Sequence, residues 1–221
     1  MFPGFFIFEL KFIISFMNDL RREFITALQA NEADFGISLN EKDLNRLFVY
    51  YDFVQKHNGI LHLVAPCSPE EFAVRHLLES LTLLGFLPKK SRLADIGAGA
   101  GLPSLPCLIA REDLRGVLIE SKLKKARFLE EVLIECSLEK RAKVFDRQFE
   151  ELLKPAVDFV TCRALDKFTE KLPKILKWSK GCTLLFFGGD NLSGELKKLG
   201  VKFESKLIPK SEKRFLFIAR N

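Results

Sequence analysis

Residues that build metal centres and disulfide frameworks are scarce in this chain. Its five cysteines, Cys67, Cys107, Cys136, Cys162 and Cys182, are scattered over 221 residues, odd in number and never in a C-x-x-C pair. The three histidines, His57, His62 and His76, also lack metal-ligand spacing. These absences argue against a sequence-encoded zinc site and a disulfide-stapled domain, and they fit reduced thiols in a cytosol. No metal is expected. Internal repeats and low-complexity linkers are missing too. The one strongly apolar stretch, Phe2 to Phe16, has no basic leader and no small-residue cleavage site, and Glu9 and Lys11 interrupt it. It is too short to span a bilayer. Met17-Asn18-Asp19-Leu20 reads as a more natural start for a soluble protein, so residues 1–16 are expected to be upstream or peripheral sequence. No membrane partner is expected.

What remains is an ordinary globular composition, 48% hydrophobic and 29% charged. The length suits one domain with a helical extension. A net charge of +6 permits a nucleic-acid partner without requiring one.

The most informative stretch is Leu93-Ala94-Asp95-Ile96-Gly97-Ala98-Gly99-Ala100-Gly101-Leu102-Pro103. A short apolar run contains a carboxylate, three glycines alternate, and a proline follows that can open a helix. This is the strand, tight turn and helix start that bind a nucleotide-like ligand at the first turn of a doubly wound sheet. Glycine lets the backbone bend and a ligand approach without a Cβ in the way. The carboxylate bears on which ligand. Asp95, two residues before the first glycine, would repel a pyrophosphate held at the helix N-terminus. S-adenosylmethionine carries no phosphate; its sulfonium and α-amino groups are cationic, and Asp95 could face them through water or backbone amides. Glu120 closes the run Val117-Leu118-Ile119, where an acid takes the ribose hydroxyls.

Residues 17–86 read as a helical cap. Leu20, Phe24 and Leu28 recur at helical spacing, as do Leu44, Leu47, Phe48 and Tyr51. Asn40 is a candidate N-cap with Asp43 three residues on, and Ser68-Pro69-Glu70-Glu71 opens a helix that Gly85 stops. From residue 87 a second pattern begins. Strands are predicted at 92–96, 116–120, 142–146, 157–162 and 182–187, separated by helices at 103–111, 121–136, 148–153 and 166–178. A helix at 192–198 precedes strands near 201–208 and 214–220. Alternation implies a parallel sheet, and the helix-free final pair an antiparallel hairpin at one edge. That is the plan of the class I S-adenosylmethionine-dependent methyltransferases, a Rossmann-like α/β fold.

Four segments resemble the bacterial glucose-inhibited division protein B family, methyltransferases that modify guanine N7 of 16S ribosomal RNA. They are Asp95–Pro106 (DIGAGAGLPSLP), Glu120–Glu131 (ESKLKKARFLEE), Asp158–Ala164 (DFVTCRA) and Val74–Leu81 (VRHLLESL). Four departures stand out. His62-Leu63-Val64 replaces the family's N-L-T, Glu79 its aspartate, Ser104 a glycine, and Gly188-Gly189 the lysine-glycine that ends the fifth strand. The resemblance implies a methyl transfer to guanine N7 in the 530-loop region of 16S RNA, on the small ribosomal subunit, in the cytoplasm, by a monomer. The alternative is a same-fold methyltransferase acting on another base or a small molecule.

By position, the resemblance places cofactor contacts at Gly97, Leu102 and Arg163, with Gly99 and Gly101 completing the loop. It brackets adenine by Gln148 and Phe149, with Glu150 close by and Phe149 a candidate stacking surface. Guanine N7 is nucleophilic as it stands, so no general base or triad is expected. Arg163 is either a bridge between cofactor and target, donating to guanine O6 or a phosphate, or a structural partner of Asp166 or Glu170. His76 and Glu79 share a helix face and either line the target pocket or sit as buried hydrogen-bonded groups. Cys162 is a small buried hydrophobe or, as in cytosine-C5 methyltransferases, a nucleophile. Lys122, Lys124, Lys125 and Arg127, and the stripe Lys167, Lys171, Lys174 and Lys177, are phosphate contacts or solvated helix faces.

Overall fold

The computed structural model describes residues 3–163, 165 and 167–221, with the side chains of residues 3–14 and 16 outside the description. The first helix, α1, runs Pro3–Asn31 and so contains both the segment read as peripheral and the Leu20-Phe24-Leu28 face. α2 is Glu41–Leu61, opened by a reciprocal capping box between Asn40 and Asp43. A third helical stretch starts at α3 (Pro69–Glu71) behind the Ser68 cap, widens into π-helical turns over Phe72–Leu78, and returns to α4 (Glu79–Leu81). It ends in a 3₁₀ turn, Thr82–Phe86. The widening was not expected from the sequence. Such turns often accompany functional sites, and this one carries Arg75 and His76.

The sheet follows. β1 is Arg92–Ile96, α5 Ser104–Ala110, β2 Arg115–Ile119, α6 Leu123–Glu135 and β3 Ala142–Phe145. A 3₁₀ turn at Phe149–Glu151 precedes β4, Phe159–Cys162, and α7, Phe168–Trp178. β5 is Thr183–Gly188, α8 Asp190–Lys198, β6 Phe203–Leu207 and β7 Phe215–Arg220. The order is β3-β2-β1-β4-β5-β7-β6, with β7 antiparallel to β5 and β6. The predicted parallel sheet and edge hairpin are both present. Pro103 stands one residue outside α5, because the Ser104 N–H bonds back to the Asp95 carboxylate and fixes the first helical residue there.

Alternation along the strands makes two apolar layers. Ala94, Ile96, Leu184, Phe186 and Phe217 face α7 and α8 residues such as Leu172, Ile175 and Leu192. Leu93, Leu118, Leu185 and Phe187 face Leu105, Leu108, Phe128 and Leu129 of α5 and α6. The cap joins this second layer through Phe24, Leu28, Leu47, Tyr50 and Phe72. It thereby lies beside the C-terminal ends of the strands, where an open α/β sheet binds its ligand. Among the described residues no helix is long and apolar enough to cross a membrane.

Candidate functional site

The glycine loop turns at the end of β1. Gly97, Gly99 and Gly101 have φ of +72°, +57° and +92°, a region in which a side chain is strained. Gly101 is also the tightest sterically, since a Cβ there would fall 2.0 Å from Leu105 Cδ1 and 2.6 Å from its Cγ. The amides of Gly97 and Ala98 both donate to the Ile119 carbonyl, at 2.8 and 3.1 Å, tying the loop to the end of β2.

Glu120 clasps the loop from the same end. Its Oε2 accepts from Gly99 N (3.0 Å) and its Oε1 from Lys122 N (2.8 Å). Each oxygen keeps a further lone pair, so the carboxylate can still accept from ligand hydroxyls. Asp95 stands elsewhere. It is fully buried beneath the loop and does not line the cavity. Its Oδ2 accepts from the Ser104 hydroxyl (2.5 Å) and amide (3.3 Å), and its Oδ1 has no partner among the described residues. Burial pushes the Asp95 carboxyl up to about 7.

The cavity above the loop holds about 470 Å³, within the ordinary range for a small-molecule site. Gly97, Gly99, Leu102 and Glu120 line it. His76, Lys125, Arg163 and Lys171 line it too. Leu63, Val64 and Ala65, from the turn after α2, also reach it. Asn58 shapes that turn: its Oδ1 accepts from the amides of Leu63 and Val64, and its Nδ2 donates to the Val64 carbonyl. Nothing local in His62-Leu63-Val64 shows that this turn reaches the site.

Arg163 is the best-anchored cation of the cavity. It donates to Ser80 Oγ (3.2 Å), to the Arg75 carbonyl (2.7 Å) and to Glu79 Oε2 (3.1 Å), all on the cap. Its ion pair is therefore with Glu79; Asp166 and Ala164 lie outside the described residues. Burial and the neighbouring arginines hold His76 down to about 4, burial being the larger cause, so its ring is neutral at physiological pH. Its Nδ1 is buried without a partner. Lys125 donates to the His62 carbonyl, and burial lowers its pKa.

Other candidates are placed differently. Gln148, Phe149 and Glu150 border an adjoining shallow recess that shares Gly97, Ser121, Leu165 and Lys171 with the cavity. Phe149 itself is 4% exposed and packs edge-on to Trp178 at 6.0 Å, so most of its ring belongs to the core. Lys167 is exposed beside Glu170 and does not line the cavity. Cys162 is completely buried, with burial raising its thiol well above the usual range. A thiol so placed is not a thiolate nucleophile. A hollow of about 520 Å³ at the outer junction of α2 and α6 is lined by Lys42, Arg46, Glu112 and Arg141 and contains none of the candidate residues. Among the described residues no three His, Cys, Asp or Glu side chains gather as a metal site.

One contact was illegible in advance. The buried Tyr50 hydroxyl of α2 donates to the Ala100 carbonyl of the glycine loop at 2.8 Å. A tyrosine at helical spacing looks like core, and only the fold shows what its hydroxyl meets.

Solved methyltransferase structures share the fold. A methyltransferase from Aquifex aeolicus, described as S-adenosylmethionine-dependent, superposes with a TM-score of 0.55 at 17% identity, covering 69% of this chain and 93% of that one. Mitomycin 7-O-methyltransferase superposes with a TM-score of 0.55 at 19% identity, covering 69% and 56%. The fold is that of the class I S-adenosylmethionine-dependent methyltransferases.

Sequence relatives narrow this further. A protein of Nitrosospira multiformis named ribosomal RNA small subunit methyltransferase G is 42% identical over 114 residues, 52% of each chain. The chain thus spans about half the length of that relative. A protein of the same name from Neisseria meningitidis serogroup B is 33% identical over 143 residues, 65% of this chain and 69% of that one. The family model GidB, rRNA small subunit methyltransferase G, matches residues 43–217. With the match running from α2 to β7, the chain belongs to the GidB family.

Proposed function

We propose that this chain binds S-adenosylmethionine in the cavity above the glycine loop and transfers its methyl group to N7 of a guanine in 16S ribosomal RNA of the small subunit. The target lies in the 530-loop region, and the enzyme works as a cytoplasmic monomer. One observation carries the reading: a single cavity of about 470 Å³ is lined by the glycine loop and Glu120 together with Arg163, Lys125 and Lys171.

The residues present fit the cofactor. Glu120 brings a carboxylate to the cavity lining, which favours a cationic ligand beside it, while Asp95, its carboxyl held up to about 7 beneath the loop, adds little fixed charge. Glu120 has acceptor capacity left for ribose hydroxyls, and Gly99, where a Cβ would meet nothing closer than 3.8 Å, leaves room for a ligand against the backbone. Once bound, the cofactor supplies an electrophilic methyl group on a sulfonium.

The chain's own task is alignment and shielding. Arg163, pinned by three cap groups, presents a guanidinium of fixed direction to the base or its phosphate. His76, neutral, offers a hydrogen-bonding ring without adding charge beside a sulfonium. The turn at Leu63–Ala65 and Leu102 exclude water. No group need remove a proton, because N7 bears an in-plane lone pair. The second reading, a different base or a small molecule, is favoured by Gly188-Gly189, which brings no cation to the end of β5.

Calorimetry and thermal unfolding with S-adenosylhomocysteine and with NAD test the cofactor. A ligand at 100 times its dissociation constant stabilises by about 2.7 kcal/mol. Stabilisation by S-adenosylhomocysteine alone is expected; stabilisation by NAD alone overturns the reading. Label from methyl-labelled cofactor is then expected in the RNA of undermodified small subunits.

A further inference from the structure

At the end of β5 the sheet presents no side chain from Gly188 or Gly189. The space is closed as well, since a Cβ on Gly188 would lie 2.6 Å from Leu192 Cδ2 and 2.9 Å from Leu192 Cβ. The neighbouring strand supplies a cation instead. Gly188 pairs with Phe215 of β7, and Arg214 immediately precedes it. The Arg214 guanidinium donates to Glu79 Oε1 from Nε (3.0 Å) and from Nη2 (2.5 Å). The other oxygen of Glu79 accepts from Arg163 of the cavity wall.

One carboxylate, its side chain 3% exposed, therefore holds two guanidiniums, one just after β4 and one just before β7. A buried acid needs one such partner to be neutralised; the second leaves the cluster with an excess positive charge. The two differ in access. Arg163 is 15% exposed at its side chain and Arg214 is 40% exposed. Nη1 of Arg214 has no hydrogen-bond partner among the described residues. A planar fork fixed on one edge and open on the other matches a phosphate oxygen pair.

We propose that Arg214, oriented by Glu79, contacts a backbone phosphate of the RNA strand flanking the target base, and that Glu79 couples this contact to the position of Arg163. The inference rests on RNA being the substrate. Glu79 is a positioning residue, with no contact of its own to the strand.

The test compares wild type, Arg214→Gln and Arg214→Lys on undermodified small ribosomal subunits over a salt titration, with S-adenosylhomocysteine affinity and melting temperature measured in parallel. Arg214→Gln is expected to raise KM for subunits by up to about tenfold and to reduce the slope of log affinity against log salt by about 0.7 to 1. The loss falls on KM rather than on kcat, and S-adenosylhomocysteine affinity stays at its wild-type value. Arg214→Lys restores the slope, because the charge returns. An Arg214→Gln enzyme with unchanged KM and slope overturns the proposal. So does a loss of melting temperature and cofactor affinity without a change in slope, which makes Arg214 a structural counter-ion only. Subunit binding with an Arg214-dependent slope but no 7-methylguanosine upholds the phosphate contact and overturns the N7 reading.

Discussion

Tyr50 and Ala100 join the two halves of this protein: a buried phenol on the cap helix α2 donates at 2.8 Å to a carbonyl inside the glycine loop. The cap therefore supports the loop as well as covering the cavity. Replacing Tyr50 with Phe keeps the packing and leaves the Ala100 carbonyl without its donor. A stability loss of about 1–3 kcal/mol is expected in urea unfolding, the usual cost of an unpaired buried polar group. A weaker affinity for S-adenosylhomocysteine, measured by calorimetry, should accompany it.

Glycine 101 and glycine 36 make a controlled pair. Both have positive φ, +92° and +67°, but a Cβ at Gly101 meets Leu105 while a Cβ at Gly36 meets nothing within 4 Å. Gly36→Ala carries only backbone strain, about 1 kcal/mol, and leaves cofactor binding unchanged. Gly101→Ala adds a clash at the start of α5 and is expected to cost several times more and to abolish S-adenosylhomocysteine binding. Equal effects of the two on binding would show that the loop geometry does not matter.

The protonation of Asp95 gives a pH signature. Unfolded, this carboxyl ionises near 3.8; burial in the fold holds it at about 7. Between those values the folded state keeps a proton that the unfolded chain has lost, so this group's contribution to stability falls as pH rises from about 4 to 7. Asp95→Asn removes the dependence while its amide oxygen still accepts from Ser104. The variant is expected to gain on wild type as pH rises, by at most about 4 kcal/mol at pH 8, with no gain at pH 4. Urea unfolding at both pH values measures this, and parallel curves would contradict it.

Cys162 ends β4 beside Arg163 and yet is fully buried with a raised pKa. Cys162→Ala is expected to retain methyl transfer and to lose about 1 kcal/mol of stability, the cost of a small cavity. Abolished transfer in a variant that folds and binds S-adenosylhomocysteine would point to a covalent mechanism.

Much of the architecture was legible because its signals are local. Strand and helix alternation, the Asn40 and Ser68 caps and the glycine loop each depend on a few adjacent residues, and they fell within a residue or two of the observed elements. Contacts across long sequence separations were not legible. Glu79 looked like a helical acid on the face of His76; its two arginines lie 84 and 135 residues away. The π-helical widening at Phe72–Leu78 has no side-chain pattern of its own. Asp95 lies in β1 and Phe149 in the 3₁₀ turn after β3, and sequence cannot say whether such a side chain faces the ligand or the core. Here Asp95 turned beneath the loop toward Ser104, and Phe149 turned toward Trp178.

The central claim is tested most directly by incubating undermodified small ribosomal subunits with methyl-labelled S-adenosylmethionine and this protein, then digesting the RNA to nucleosides for mass spectrometry. The account predicts label in 7-methylguanosine. Label in any other nucleoside, or none in a protein that still binds S-adenosylhomocysteine, would contradict it.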